Sequence, residues 1–253
     1  MPVAVVEGSL KYCLKNKLFF IFVLLIFATL EYAVAVINSS ISLFASGIAS
    51  IFVLGYGLQV IEDVIGDGTR LPKIIPKKVI VFGLKGTVIR VFYLFIECLL
   101  LGMVASQLNF PIFEIEEIFS DYSNTLMLLY QHDAVSFFIF MVSGLIVSYV
   151  ATFFMELALA RLADGGQLRK SFNFVGIKHA IDIIGWKNYT IGYTKIILII
   201  VVFFHINKFF DPYYGLNVII GTLSLFVVFI IEYRGMGVVY KIYTDKKNEG
   251  SVQ

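Results

Sequence analysis

The chain has 253 residues, of which 59% are hydrophobic and 15% charged, with a mean hydropathy of +0.88. That is more apolar surface than a soluble globular domain buries, so the excess must face lipid. The formal charge of +2 is too small to point to nucleic acid, and Cys13 and Cys98 alone supply neither a disulfide framework nor a cysteine metal site.

A helix that crosses a bilayer needs roughly 20 mostly apolar residues. Six segments reach that length: 18–37, 41–61, 88–108, 134–160, 189–206 and 212–231. Runs such as LFFIFVLLIF and IILIIVVFF are apolar on every side, which excludes the period-two alternation of a membrane β-barrel. The first run, ending near Ala33-Val34-Ala35, imitates a secretory signal, but Glu31 and Tyr32 interrupt the stretch before that tripeptide. It is therefore read as a span.

Lys11, Lys15 and Lys17 precede the first span. Arg70, Lys73, Lys77, Lys78, Lys85 and Arg90 lie between the second and third, and Arg161, Arg169, Lys170, Lys178, Lys187 and Lys195 lie around the fourth-to-fifth connector. Arg234, Lys241, Lys246 and Lys247 follow the sixth. On the opposite side only Lys208 remains, among Glu114, Glu116, Glu117, Asp121, Asp133 and Asp211. Basic loops are retained in the cytoplasm, so this distribution predicts a multi-pass protein of the cell membrane with both termini cytoplasmic.

The two cytoplasmic connectors share a pattern, DGTRLPK from Asp67 and DGGQLRK from Asp164. The matched positions are Asp67, Gly68, Leu71 and Lys73 in the first, and Asp164, Gly165, Leu168 and Lys170 in the second. A weaker echo, RGMGVVYKIYTD, follows the sixth span. These matches predict an all-α membrane protein, a single domain over 1–253, built from repeated two-span units at about 1–73, 74–170 and 171–247, with a polar tail at 248–253.

The second connector places Phe174, Ile177, Ile181 and Ile184 at helical spacing, with Lys178 and Asp182 four residues apart and Trp186 at the end. Such an amphipathic helix lies in the headgroup plane. The first connector is broken by Gly66, Gly68 and Pro72, and Pro76 suits the first position of a new helix. Its lysines predict anionic lipid headgroups as partners, at about 1 kcal/mol each. A protein partner or a second copy of the chain is the other partner these surfaces allow. Between the third and fourth spans, residues 106–133 form an external acidic segment in which Ile115, Ile118, Phe119, Tyr122, Leu126 and Leu129 make an apolar helical stripe.

No metalloprotease, nucleophile-elbow or phosphate-loop motif is present, and His132, His179 and His205 are scattered. The reading is therefore non-enzymatic, with no cofactor, metal or catalytic residue. The polar groups that need explaining are the acids within spans, Glu31, Glu97 and Glu156. Glu97 stands nearest the middle of its span, where an ionised acid costs about 2.5–3.5 kcal/mol. Protonation, or a hydrogen bond from a Ser or Tyr on another helix, lowers that cost.

GYGLQVIEDVIGDGTRLPKIIPKKVIVFGLKG, from Gly55 to Gly86, resembles the glycine-tyrosine, leucine-proline and GLK pattern of the polytopic membrane family catalogued as domain of unknown function 4013. ALARLADGGQLRKSFNFVGIKHAIDIIGWKNYTIGY is similar to that family's second signature, and DPYYGL and EYRGMGVVY to its closing segment. Lys73 departs from the pattern by replacing an acidic residue. The resemblance implies a membrane location and an archaeal source, and no reaction. Two functions fit: a small permease, channel-like or lipid-handling protein, suggested by repetition and by acids within spans, or a non-catalytic scaffold or accessory subunit. The second is suggested by the small-residue face of Ser42, Ala45, Ser46, Ala49 and Ser50, which permits close helix contact.

Overall fold

A computed structural model describes residues 40–108, 133–210 and 214–250, with scattered positions within 8–25 and 127–131. The elements are α1 (Ser40–Ile65), α2 (Pro76–Gln107), α3 (Ala134–Gly165), α4 (Leu168–Ser171), α5 (Phe174–Ile184), α6 (Trp186–Phe210) and α7 (Tyr214–Gly250). No strand occurs among the described residues. Five helices, α1, α2, α3, α6 and α7, are long and apolar enough to cross a membrane. The expected first span and the acidic segment between the third and fourth lie mostly outside the described residues.

The long helices outrun the expected spans. Helix α2 begins at Pro76, twelve residues ahead of the apolar run, and α7 continues to Gly250. At about 1.5 Å per residue, the 32 residues of α2 reach ~48 Å against a hydrocarbon thickness of ~30 Å. Hydropathy changes at the edge of the bilayer, but backbone hydrogen bonding continues until a breaker intervenes. Lys77, Lys78 and Lys85 therefore ride on the same helix as the span rather than on a separate connector helix.

The described chain divides into two compact units, residues 1–89 with 156–253, and residues 90–155. In the first, α7 packs against α1, α5 and α6. Glycines bring α1 to its neighbours. A Cβ on Gly55 would overlap the Val79 carbonyl of α2, and one on Gly83 would overlap the Ile51 carbonyl of α1. On another side, Gly57 seats the Tyr233 ring, where a Cβ would lie 2.6 Å from three ring atoms, and Gly237 seats Val64. The pairs 55 with 79 and 51 with 83 make α1 and α2 antiparallel, whereas 57 with 233 and 64 with 237 make α1 and α7 parallel. Leu58, Ile61, Phe226, Ile230 and Met236 fill the space between them and are almost wholly buried. Of the predicted small-residue face, Ala49 is buried and Ser50 exposed. The closest backbone approach comes from the glycines one to two turns further on.

Helix α5 buries Ile177, Ala180, Ile181 and Ile184. Phe174, predicted on the same stripe, is half exposed, and its place in the buried set is taken by Ala180. Asp182 accepts a hydrogen bond from Trp186 Nε1 at 2.7 Å. Asn173 caps α5, accepting from the Gly176 N–H at 3.0 Å, and Gly185, at φ 94°, ends it and passes directly into α6. In the second unit the two helices run antiparallel, with Glu97 opposite Ser148 and Gly144 opposite Leu101. Many of their exposed residues, among them Leu94, Phe95, Leu145 and Ile146, are apolar, as a lipid-facing surface requires.

A side chain at Gly55 or Gly83 must push α1 and α2 apart. Gly83→Val and Gly55→Val are expected to destabilise the protein by ~1–3 kcal/mol, the usual cost of overpacking. Gly47, where a Cβ meets nothing within 4 Å, supplies the control. Gly47→Ala is expected to be neutral or stabilising by up to about 1 kcal/mol. Thermal unfolding in detergent reads all three.

Candidate functional site

The last turns of α1 and the loop that follows enclose a pocket of about 580 Å³. Asp67 ends α1. Its φ of 66° is left-handed, its N–H donates to the Val64 carbonyl at 3.2 Å, and the Gly68 N–H reaches back to the Asp63 carbonyl at 2.7 Å. That pair of bonds is a Schellman cap, here with aspartate in the position glycine usually holds. At Gly68 a Cβ would overlap the Asp63 carboxylate. The chain then doubles back along α1. Leu71 is buried, Tyr56 Oη donates to the Pro72 carbonyl at 3.2 Å, and Gln59 Nε2 donates to the Lys73 carbonyl at 2.6 Å. Gln59 Oε1 accepts from the Ile75 N–H at 3.5 Å. One buried amide thus satisfies both senses of backbone hydrogen bond in a segment that has no helix to do so. Pro76 then starts α2.

Both charge signs line the pocket. Glu62 pairs with Lys78, whose ammonium also lies 5.5 Å from the centre of the Phe82 ring. Asp63 accepts from Tyr12 Oη at 2.7 Å. Arg70 and Lys73 are exposed, and their side chains make no hydrogen bond or ion pair among the described residues. Gln59, Leu71, Pro72, Ile75 and Asn16 complete the wall.

The residues that hold Asp63 come from the N-terminal segment. The Arg234 guanidinium of α7 lies 5.5 Å from the Tyr12 ring centre, contacts the Ser9 hydroxyl at 3.4 Å, and covers Gly8, where a Cβ would lie 3.0 Å from Nη1. Burial pushes the Tyr12 hydroxyl well above its ordinary range, with Asp63 adding to the shift. Burial also pushes the Cys13 thiol up to about 12, partly offset by Arg234. Tyr12 is therefore a neutral donor and Cys13 an inert thiol at neutral pH.

The second connector carries the same types of contact. Tyr240 Oη donates to Asp164 at 3.2 Å, and the Arg161 guanidinium covers Gly176, where a Cβ would lie 2.5 Å from Nη1. Lys85 donates to the Gly166 carbonyl at 2.5 Å, capping the end of α3. The two DG dipeptides nonetheless take different helix positions. Asp67 is the left-handed residue that ends α1 and pairs with Lys241, whereas Asp164 lies inside the last turn of α3, and the left-handed residue there is Gly166, at φ 62°. Gly165 closes α3, Leu168 opens α4 half-buried, and Lys170 is exposed.

Of the acids within spans, Glu97 is half-buried in the second unit and accepts from Ser148 Oγ of α3. Glu156 is buried in the first unit, and Glu31 lies outside the described residues. His205 bonds the Val201 carbonyl of its own helix at 2.9 Å. Among the described residues, no three His, Cys, Asp or Glu side chains are grouped to hold a metal.

Several membrane-length helices, with a mixed-charge pocket where one of them turns into the next, define a polytopic membrane-type protein. The family model described as a protein of unknown function, DUF4013, matches residues 40–209, and the chain belongs to that family. No curated protein and no solved structure matches it.

The cap at Asp67 gives a local test. Asp67→Gly removes a left-handed strain of ~1 kcal/mol and loses only an exposed ion pair with Lys241, so its melting temperature is expected to stay within a degree or two of wild type. Asp67→Val is expected to lose ~1–2 kcal/mol, because a β-branched residue does not accept that φ.

Proposed function

We propose that the protein is a small, non-catalytic lipid-handling membrane protein whose working site is the pocket of the first connector. The observation that carries this reading is the pair Arg70 and Lys73, two exposed cations on the wall of a 580 Å³ pocket in the loop between two membrane-length helices. Helix ends of that length stand at headgroup depth, where the anionic group within reach is a phosphate. Arginine meets phosphate in a bidentate fork, and lysine adds a point charge.

The proposal includes six spans, both termini in the cytoplasm, and the connectors on the cytoplasmic side with α5 as an amphipathic helix in the headgroup plane. The lysine and arginine distribution supports it. The repeated two-span unit draws support from the recurrence of an arginine over a glycine, Arg234 over Gly8 and Arg161 over Gly176, and of a tyrosine donating to an aspartate, Tyr12 to Asp63 and Tyr240 to Asp164. An archaeal source rests on the sequence resemblance alone. A permease is the neighbouring reading, with Glu97 as its intramembrane group. The scaffold reading draws on the glycine contacts of α1, which show how closely these helices tolerate a partner.

Orientation is read by labelling. In a background without Cys13 and Cys98, a cysteine at Ser39 is expected to react with an impermeant thiol reagent added outside intact cells, and cysteines at Thr69 and Gln167 are expected not to. Reversed labelling removes the cytoplasmic site.

Function is read by binding. Purified protein is expected to retain vesicles bearing a phosphate-monoester lipid, and the double variant Arg70→Ala/Lys73→Ala to weaken retention by about tenfold, while Lys178→Ala, on the exposed face of α5, changes it little. Unchanged retention in the double variant ends the lipid reading. Solute flux through liposomes that depends on Glu97 favours the permease, and a stoichiometric protein partner favours the scaffold.

A further inference from the structure

We infer that the ligand of the first-connector pocket is a zwitterion of the phosphoethanolamine type, its phosphate held by Arg70 and Lys73 and its ammonium by Asp63. This deepens the lipid-handling reading and rests on it. Glu62 and Lys78 face each other and cancel. That leaves two cations on the loop and one carboxylate on α1, all lining the same pocket.

Asp63 has one hydrogen-bond partner among the described residues, the phenol of Tyr12. A carboxylate has about four acceptor positions, and a single phenol fills one. Gly68, with no side chain, lies directly beside the carboxylate. The nearest arginine on the N-terminal side, Arg234, is committed to Ser9 and the Tyr12 ring. Lys241 is committed to Asp67. The pocket therefore brings a carboxylate and two cationic donors to one lining, and a ligand that satisfies both carries an anion and an ammonium on one short linker.

The sign of the net field makes the inference testable. A pocket with two uncompensated cations and one anion, left to net charge alone, prefers the more negative ligand. Propyl phosphate has nearly the size of phosphoethanolamine and a methyl in place of the ammonium, so it is the more negative of the two. Preference for phosphoethanolamine then requires a carboxylate at the other end of the site.

The experiment measures both soluble probes against the detergent-solubilised protein by calorimetry, and vesicles containing phosphatidylethanolamine against vesicles containing phosphatidic acid. Wild type is expected to bind phosphoethanolamine about tenfold more tightly than propyl phosphate. In Asp63→Asn, which keeps the shape and the acceptor for Tyr12, the preference is expected to vanish while propyl phosphate binds as well as before or better. Equal affinities in wild type overturn the zwitterion, and that comparison needs no variant, so it stands even if Asp63→Asn fails to fold. Failure of both probes and both vesicles overturns the phosphate reading beneath it. Selection among vesicles assigns the lipid headgroup as the source. Selection among soluble probes without selection among vesicles keeps the zwitterion and assigns a free phosphoester.

Discussion

The contact on which the rest of the structure depends is the backbone approach of α1 to α2, made possible by Gly55 and Gly83. In a bilayer the apolar effect does not drive helices together, because lipid tails are as apolar as leucine. Close packing and interhelical hydrogen bonds must do so, and both grow as the axes approach. Here the glycines let carbonyl and Cα surfaces touch, while Gly57 and Gly237 draw α7 in along another side of the same helix. A helix held on two sides has little freedom to rotate. Its last turns, with Tyr56, Gln59, Glu62 and Asp63, are therefore presented in one fixed orientation to whatever the following loop builds against them.

The loop needs that support, because residues 69–75 are not helical and, among the described residues, only the Ile75 carbonyl makes a backbone hydrogen bond, from the Val79 N–H. Gln59 and Tyr56 supply partners from α1, and each such bond is worth about 1 kcal/mol net but costs more if a buried partner is left unmade. The carbonyls of Pro72 and Lys73 turn inward to α1, while the Lys73 side chain is exposed on the pocket wall.

The long apolar helices are legible in the sequence because hydrophobicity over some 20 residues is a strong signal. Pro76 as a helix start and the buried run Ile177, Ile181, Ile184 are legible for equally local reasons. Helix ends are not, since α2 and α7 pass well beyond the apolar runs wherever no breaker stops them. The pocket lining at the first connector is half legible. Arg70, Leu71, Lys73 and the glycines stand out by composition, but Gln59, Glu62 and Asp63 read as the polar end of a span. Asp63 acquires its meaning from Tyr12, 51 residues away, and no periodicity announces a contact at that separation. Ser148 opposite Glu97 is the same case, a partner foreseeable in kind and not in position.

One feature of the pocket runs against simple electrostatics: Arg70 and Asp63 both line it, yet they do not pair. The cap explains why. Asp63 lies within α1 and its carboxylate is wedged beside Gly68, with one oxygen fixed by Tyr12, so it does not swing outward to follow a cation. Arg70 lies two residues past Gly68, on a strand of loop whose course is set by Leu71 in the core and by Tyr56 and Gln59 beneath it. Each charge is anchored to a different rigid part, and an ion pair across solvent would return at most about 1 kcal/mol for distorting either. The opposed charges are therefore held apart by the packing that builds the site, and a separated pair of fixed charges is the arrangement that favours a dipolar ligand between them over either charge alone.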